Sequence, residues 1–120
     1  MTQLTVKRVY LPASNDDGWR VLVDRLWPRG LAKAVARIDH WDKAIAPSDE
    51  LRHWFGHEPG KWVEFQHRYF AELDEQPTAV QALLAELKPQ HRACLLFAAR
   101  DEARNNAVAL RAYLARHGLR

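Results

Sequence analysis

The seven residues Ala93-Cys94-Leu95-Leu96-Phe97-Ala98-Ala99 carry no polar interruption, and that run restricts the fold more than any other part of the chain. A strand that is apolar at every position has no solvent face and has to be covered on both sides. The run is far short of the roughly 20 residues that cross a bilayer. It fits a central strand between two layers, and 120 residues leave room for one such domain and little more. The expected fold is therefore a single compact α/β domain over residues 1–120, a short and mostly parallel sheet with helices packed on it.

The flanking sequence supplies the other elements. Lys7-Arg8-Val9-Tyr10-Leu11 reads as a short strand closed by Pro12, followed by a turn-rich loop through Ser14, Asn15, Asp16, Asp17 and Gly18. Trp19 to Asp24 is aromatic and β-branched, as a buried strand should be, and Pro28-Arg29-Gly30 ends it. Residues 31–37 show no clear period. Ile38 to Trp41 alternates and predicts a third short strand before Pro47.

Ser48 followed by Asp49 and Glu50 predicts a helix start, with a hydroxyl cap and then acids against the positive end of the helix dipole. Gly56 should close that helix. Trp62, Phe65, Tyr69 and Leu73 form one apolar stripe at helical spacing. Thr78 to Gln81 reads as a capping box for a further helix burying Val80, Leu83, Leu84 and Leu87, stopped by Pro89. After the apolar run, Asp101 can cap a last helix that turns Ala107, Leu110 and Leu114 inward, with Gly118 at its end.

Charge and composition narrow the function classes. The formal charge is +3, with 13 arginines against 5 lysines. Arginine suits planar recognition of phosphate and carboxylate. Acidic residues are interspersed throughout, so no basic tail for nucleic acid is visible. The N-terminus lacks a signal-peptide layout, which with a single cysteine predicts a cytoplasmic protein without a membrane segment. Cys94, in the middle of the apolar strand, reads as an inert buried thiol. No phosphate-binding loop, G-x-G-x-x-G or G-x-S-x-G string occurs. His53 and His57 stand four apart, but Gly56 breaks the helix between them, so neither metal nor cofactor is expected.

Polar residues gather where strands end. Asp24-Arg25 leads into Trp27-Pro28-Arg29-Gly30; Lys43, Ser48 and Arg52 follow the third strand; Arg100-Asp101 follows the apolar run, with Asn105-Asn106 close behind. Ligands of open parallel sheets bind outside the carboxyl ends of the strands, so these clusters can share one crevice. Asp24, leaving a buried strand, is either paired with Arg25 or Arg29 or chemically useful. Arg25 and Arg29 around Trp27 and Pro28 can clamp an oxyanion, with the indole as a platform. Asp24 and Asp101 are thus the candidate catalytic groups. The candidate ligand-binding residues are Arg25, Trp27, Arg29, Lys43, Ser48, Arg52, Asn105 and Asn106. Asparagine is a poor helix former, and two in succession point to a required side-chain hydrogen bond.

The string Arg20 to Gly30, RVLVDRLWPRG, resembles the signature of the domain-of-unknown-function 488 family, YeaO-like branch. The resemblance continues through Trp41, Lys43, Ala46-Pro47-Ser48, Leu51-Arg52 and Trp54-Phe55-Gly56-His57. It resumes at Trp62, Phe65, Tyr69 and Glu72-Leu73, then at Leu95 to Asp101 and Asn105-Asn106, and so spans about residues 5 to 116. It implies a compact bacterial α/β domain with no established activity. In the broader family, a Val-Asp-Val-Arg string at a strand end is similar to Val23-Asp24-Arg25. Many of those relatives carry Cys-His-Arg near the start of the last helix, where this chain has Arg104-Asn105-Asn106.

Two functional readings follow, beside a third in which the chain is a scaffold with no chemistry. In one, the chain is an enzyme for a small anionic or nucleotide-like ligand, with Asp24 as acid–base group, Arg25 and Arg29 as clamps, and Asn105 or Asn106 orienting. In the other, it is a non-catalytic module binding nucleic acid or a protein partner through arginines and exposed tryptophans. The first requires Asp24, Arg29 and Asp101 in one concave pocket; the second requires a basic stripe with open indole faces.

Overall fold

The computed structural model describes residues 2–119. The apolar run forms β4 (Arg92–Phe97), at the inside of a four-stranded sheet with β1 (Gln3–Arg8), β2 (Trp19–Leu22) and β3 (His40–Trp41). The order is β1-β4-β2-β3, and every pairing is parallel. The helices are α1 (Lys33–Ala36), α2 (Asp49–Phe55), α3 (Trp62–Asp74), α4 (Pro77–Leu87) and α5 (Asn106–Arg116). This is the single α/β layered architecture that the sequence predicts.

Residues of β4 alternate between two cores, as a period of two requires. Ala93, Leu95 and Phe97 face one side, with Val21 and Val23 beside them, and meet the apolar stripes of α2 to α5. Cys94 and Leu96 face the other side with Leu22, under Trp27, Leu31 and Ile38 of the crossover between β2 and β3 and under Trp41 of β3. Leu95 and Leu96 are both fully buried, each worth about 1.5–3 kcal/mol of transfer free energy. The helical face is the thicker layer. Tyr69 of α3 is fully buried there and donates its hydroxyl to the Ile45 carbonyl at 2.6 Å.

Several boundaries differ from the sequence reading, each for a physical reason. The first strand runs from Gln3 to Arg8 rather than from Lys7 to Leu11. Leu4 and Val6 pack on the helical core while Lys7 turns to the opposite face, an alternation weaker than the run that follows it. The third strand keeps only His40 and Trp41, because Asp39 binds the edge of β2 partly through its side chain, accepting from the Arg20 amide at 2.8 Å. Residues 33–36 form the short α1. Pro77 opens α4 at its first position, so Thr78 is not the cap. Asp101 does not cap the last helix either: Asn105 does, accepting from the Val108 amide at 2.9 Å. Ser48 caps α2 as expected, and Gly56 closes it with a left-handed φ of 54°.

Candidate functional site

Parallel pairing of β2 and β4, with Leu22 beside Leu96, makes the carboxyl ends of both strands neighbours. The Val23 amide still donates to the Leu96 carbonyl at 3.1 Å, and Asp24 is the first residue released from the sheet. The chain there opens into a cleft of about 960 Å³. Asp24, Arg25, Trp27, Arg29, Arg52, Asp101, Asn105 and Asn106 all line it, eight of the ten candidate residues. Ligand pockets commonly run from about 300 to 1,000 Å³, so the cleft has room for a nucleotide-sized molecule.

Asp24 is partly buried where the chain leaves the sheet. Its Oδ2 accepts from the Ala98 amide at 2.8 Å, and its Oδ1 accepts from the Asn106 side chain at 2.9 Å. No ion pair reaches it among the described residues, so the expected partnership with Arg25 or Arg29 does not form. Burial raises its pKa above the usual carboxylate value, against the pull of the Asn106 and Ala98 donors and the more distant charges of Arg52 and His57.

The loop after β2 is shaped by its own residues. Gly30 has a φ of 75°, which lets the Leu31 amide turn back to the Pro28 carbonyl at 3.3 Å. The Trp27 indole donates to the Leu31 carbonyl at 2.7 Å and packs edge-on against Trp41. Arg25 is held by the Pro47 and Ala46 carbonyls at 3.3 and 3.4 Å, with Asp49 3.8 Å away. Arg29 is exposed, and its carbonyl accepts from the Tyr10 hydroxyl at 2.7 Å, joining the loops after β1 and β2. Of the expected clamp, then, Arg25 is fixed in advance and the Arg29 guanidinium is solvated.

Asp101 sits at the turn between β4 and α5. Its Oδ1 accepts from the Ala103 and Arg104 amides at 2.9 and 3.0 Å, and these donors hold its pKa below the usual value. Asn105 reaches back to the Asp101 carbonyl at 2.9 Å while capping α5. Two candidates lie outside the cleft lining. Lys43 stacks on the Trp41 ring at 4.1 Å. Ser48 donates its hydroxyl to Glu72 at 2.5 Å while capping α2, so both serve the scaffold.

Arg8, Tyr10, His57 and Arg100 also line the cleft. The sequence reading puts Arg8 inside a strand; the end of β1 places it at the rim, bound to the Ala99 carbonyl at 3.0 Å and 4.7 Å from the Tyr10 ring. A correct strand boundary would have revealed it. His57 holds a left-handed backbone, φ 58°, directly after Gly56. His53 instead contacts the Asp49 carbonyl at 2.9 Å, and the two histidines do not act as a pair. No cluster of three or more metal-ligating side chains occurs among the described residues. Five arginines (8, 25, 29, 52 and 100) and two aspartates thus line one concave surface.

A family model described as the inactive DUF488-N3 subclade matches residues 3–119. An uncharacterized Escherichia coli protein, YeaO, is 42% identical over 108 residues, covering 90% of this chain and 93% of the relative. An uncharacterized protein of Mycobacterium tuberculosis is 42% identical over 109 residues, 91% of each chain. No solved structure matches this chain. Among the described residues, no helix is long and apolar enough to cross a membrane.

Proposed function

Because the chain belongs to the DUF488 family, and the subclade it matches is described as inactive, we propose that its cleft binds a small anionic ligand without transforming it. The observation that carries this reading is the ring of Arg8, Arg25, Arg29, Arg52 and Arg100 around a single cleft at the carboxyl ends of parallel strands. Arg8 and Arg25 are anchored on main-chain carbonyls, so they lose little freedom when an oxyanion arrives. The catalytic alternative has less to draw on. Asp101 is occupied by the amides of its own turn, and position 104 to 106 holds Arg-Asn-Asn where relatives with Cys-His-Arg have reactive side chains.

The nucleic-acid alternative needs open indole faces. All five tryptophans are instead partly buried; Trp27 and Trp41 pack against each other, and Trp54 lies beneath Arg68 at 4.0 Å. A bounded cleft also favours a small molecule over a continuous strand.

Thermal unfolding with inorganic phosphate and pyrophosphate, against sodium chloride at matched ionic strength, tests the reading. A ligand at 100 times its Kd adds about 2.7 kcal/mol to stability and raises Tm. Arg52→Ala and Arg29→Ala should diminish the rise, and Arg111→Ala on the exposed side of α5 should leave it intact. An unchanged Tm at millimolar pyrophosphate would count against anion binding here.

A further inference from the structure

We propose that the anionic ligand is a guanine nucleotide, with its base on Asp24 and its phosphates on the arginine rim; this rests on the anion-binding reading above. A carboxylate has about four acceptor positions, two on each oxygen. In Asp24 one position on each oxygen is filled: Oδ2 by the Ala98 amide and Oδ1 by the Asn106 side chain. Both of these donors are neutral, and no cation pairs with the group among the described residues. One acceptor position on each oxygen therefore has no hydrogen-bond partner among the described residues, and Asp24 lines the cleft. That geometry calls for two adjacent, parallel N–H donors.

The rim excludes one class of such donors. A free guanidinium or amidinium compound would meet Arg8, Arg25, Arg29, Arg52 and Arg100, so a simple cation is disfavoured. The ligand has to carry two neutral donors at one end and negative charge at the other. Guanine presents N1–H and the 2-amino group side by side. Adenine and cytosine each place an unprotonated ring nitrogen next to the amino group, and that lone pair would face the carboxylate. Uracil has a single N–H between two carbonyls. Partly exposed apolar surface for a ring face comes from Trp27, which lines the same cleft.

The experiment compares guanosine, inosine and adenosine diphosphates with inorganic pyrophosphate on the wild-type chain, by calorimetric titration. Inosine lacks only the 2-amino group. Loss of a hydrogen bond to a charged acceptor weakens binding by about tenfold or more, so the guanosine compound should lead the inosine compound by that factor and the adenosine compound by more. In Asp24→Asn, one oxygen becomes an amide donor, and the preference for guanine should collapse while pyrophosphate binding persists. Equal affinities for the three nucleotides, with pyrophosphate still bound, would overturn the guanine assignment and leave the anion-binding reading standing. A guanine preference that survives in Asp24→Asn would also overturn it. Failure of pyrophosphate and all nucleotides to bind would remove both. Should Asp24→Asn not fold, the guanosine-to-inosine ratio decides alone.

Discussion

The Asn106 side-chain amide donates to Asp24 Oδ1 at 2.9 Å and to the Val23 carbonyl at 3.0 Å. The first residue of α5 is thereby pinned to the end of β2, across 82 positions of sequence. The bond does two things together. It supplies a partner for a carboxylate that burial would otherwise leave short of donors, and it fixes the α5 side of the cleft. Asn106→Ala should cost about 1–3 kcal/mol, because the acceptors it leaves are poorly hydrated. It should also raise the Asp24 pKa further, a change that carboxyl NMR titration can follow. Unchanged stability together with an unchanged titration would mean that water replaces the amide at no cost.

Much of this arrangement is legible in the sequence. The apolar run of β4 announced a strand covered on both faces, and the cap at Ser48 followed by the close at Gly56 defined α2. The convergence of Asp24, Arg29 and Asp101 followed from reading their strands as parallel. Partners across the fold were not legible. Asp24 could be placed at a strand end, but its bonds to Ala98 and Asn106 depend on tertiary contact, and adjacent arginines made an ion pair look more natural. Lys43 and Ser48 follow a strand in sequence, as cleft residues do, but Trp41 and Glu72 hold these two on the scaffold. Arg8 is not legible as a cleft residue because the strand pattern continues to Leu11 in sequence while β1 stops at Arg8.

Cys94 lies in the middle of β4, fully buried beside Leu22 and Leu96. Burial pushes its pKa up, so the reactive thiolate is scarce as well as inaccessible. Native protein should therefore react with a thiol reagent only through global opening, at a rate that rises with denaturant. Fast stoichiometric labelling of the native chain, followed by absorbance, would contradict this placement.

Gly18 joins the short helical turn Asn15–Asp17 to β2 with φ 68° and ψ −135°. Only glycine holds that conformation readily. A Cβ there would also lie 2.2 Å from the Arg92 carbonyl oxygen, so the backbone of β4 would have to move. Gly18→Ala should destabilise the fold by more than about 2 kcal/mol, measured by chemical denaturation. Gly60→Ala is the matched control, since no atom lies within 4 Å of a Cβ added there.

Asp17 and Asp24 should give stability opposite dependences on pH. Burial alone would raise the Asp17 pKa, but the Ser14 amide, Lys7 and Arg20 outweigh it and hold the group below its usual value. Arg20 approaches Asp17 to 2.5 Å and also donates to the Ala36 carbonyl at 2.8 Å, so this carboxylate helps tie α1 to the sheet. With its folded pKa lowered, the Asp17 contribution is present above the ordinary carboxylate pKa and is lost as pH falls through the lowered value. Asp24 behaves in reverse. Its folded pKa is raised by burial, so the proton is held more tightly in the fold than in the unfolded chain. Its stabilising contribution is complete below the ordinary pKa and disappears as pH rises through the folded one. Urea unfolding from neutral pH down to about pH 2, read as wild type minus variant, separates the two. In Asp17→Asn the difference should shrink toward the acid end, because wild type alone loses the ion network there. For Asp24→Asn the difference should move in favour of wild type on mild acidification and then level off. A difference curve that is flat for Asp17→Asn would show that the Lys7–Asp17–Arg20 network does not contribute through its charge, and that Arg20 holds α1 through the carbonyls alone.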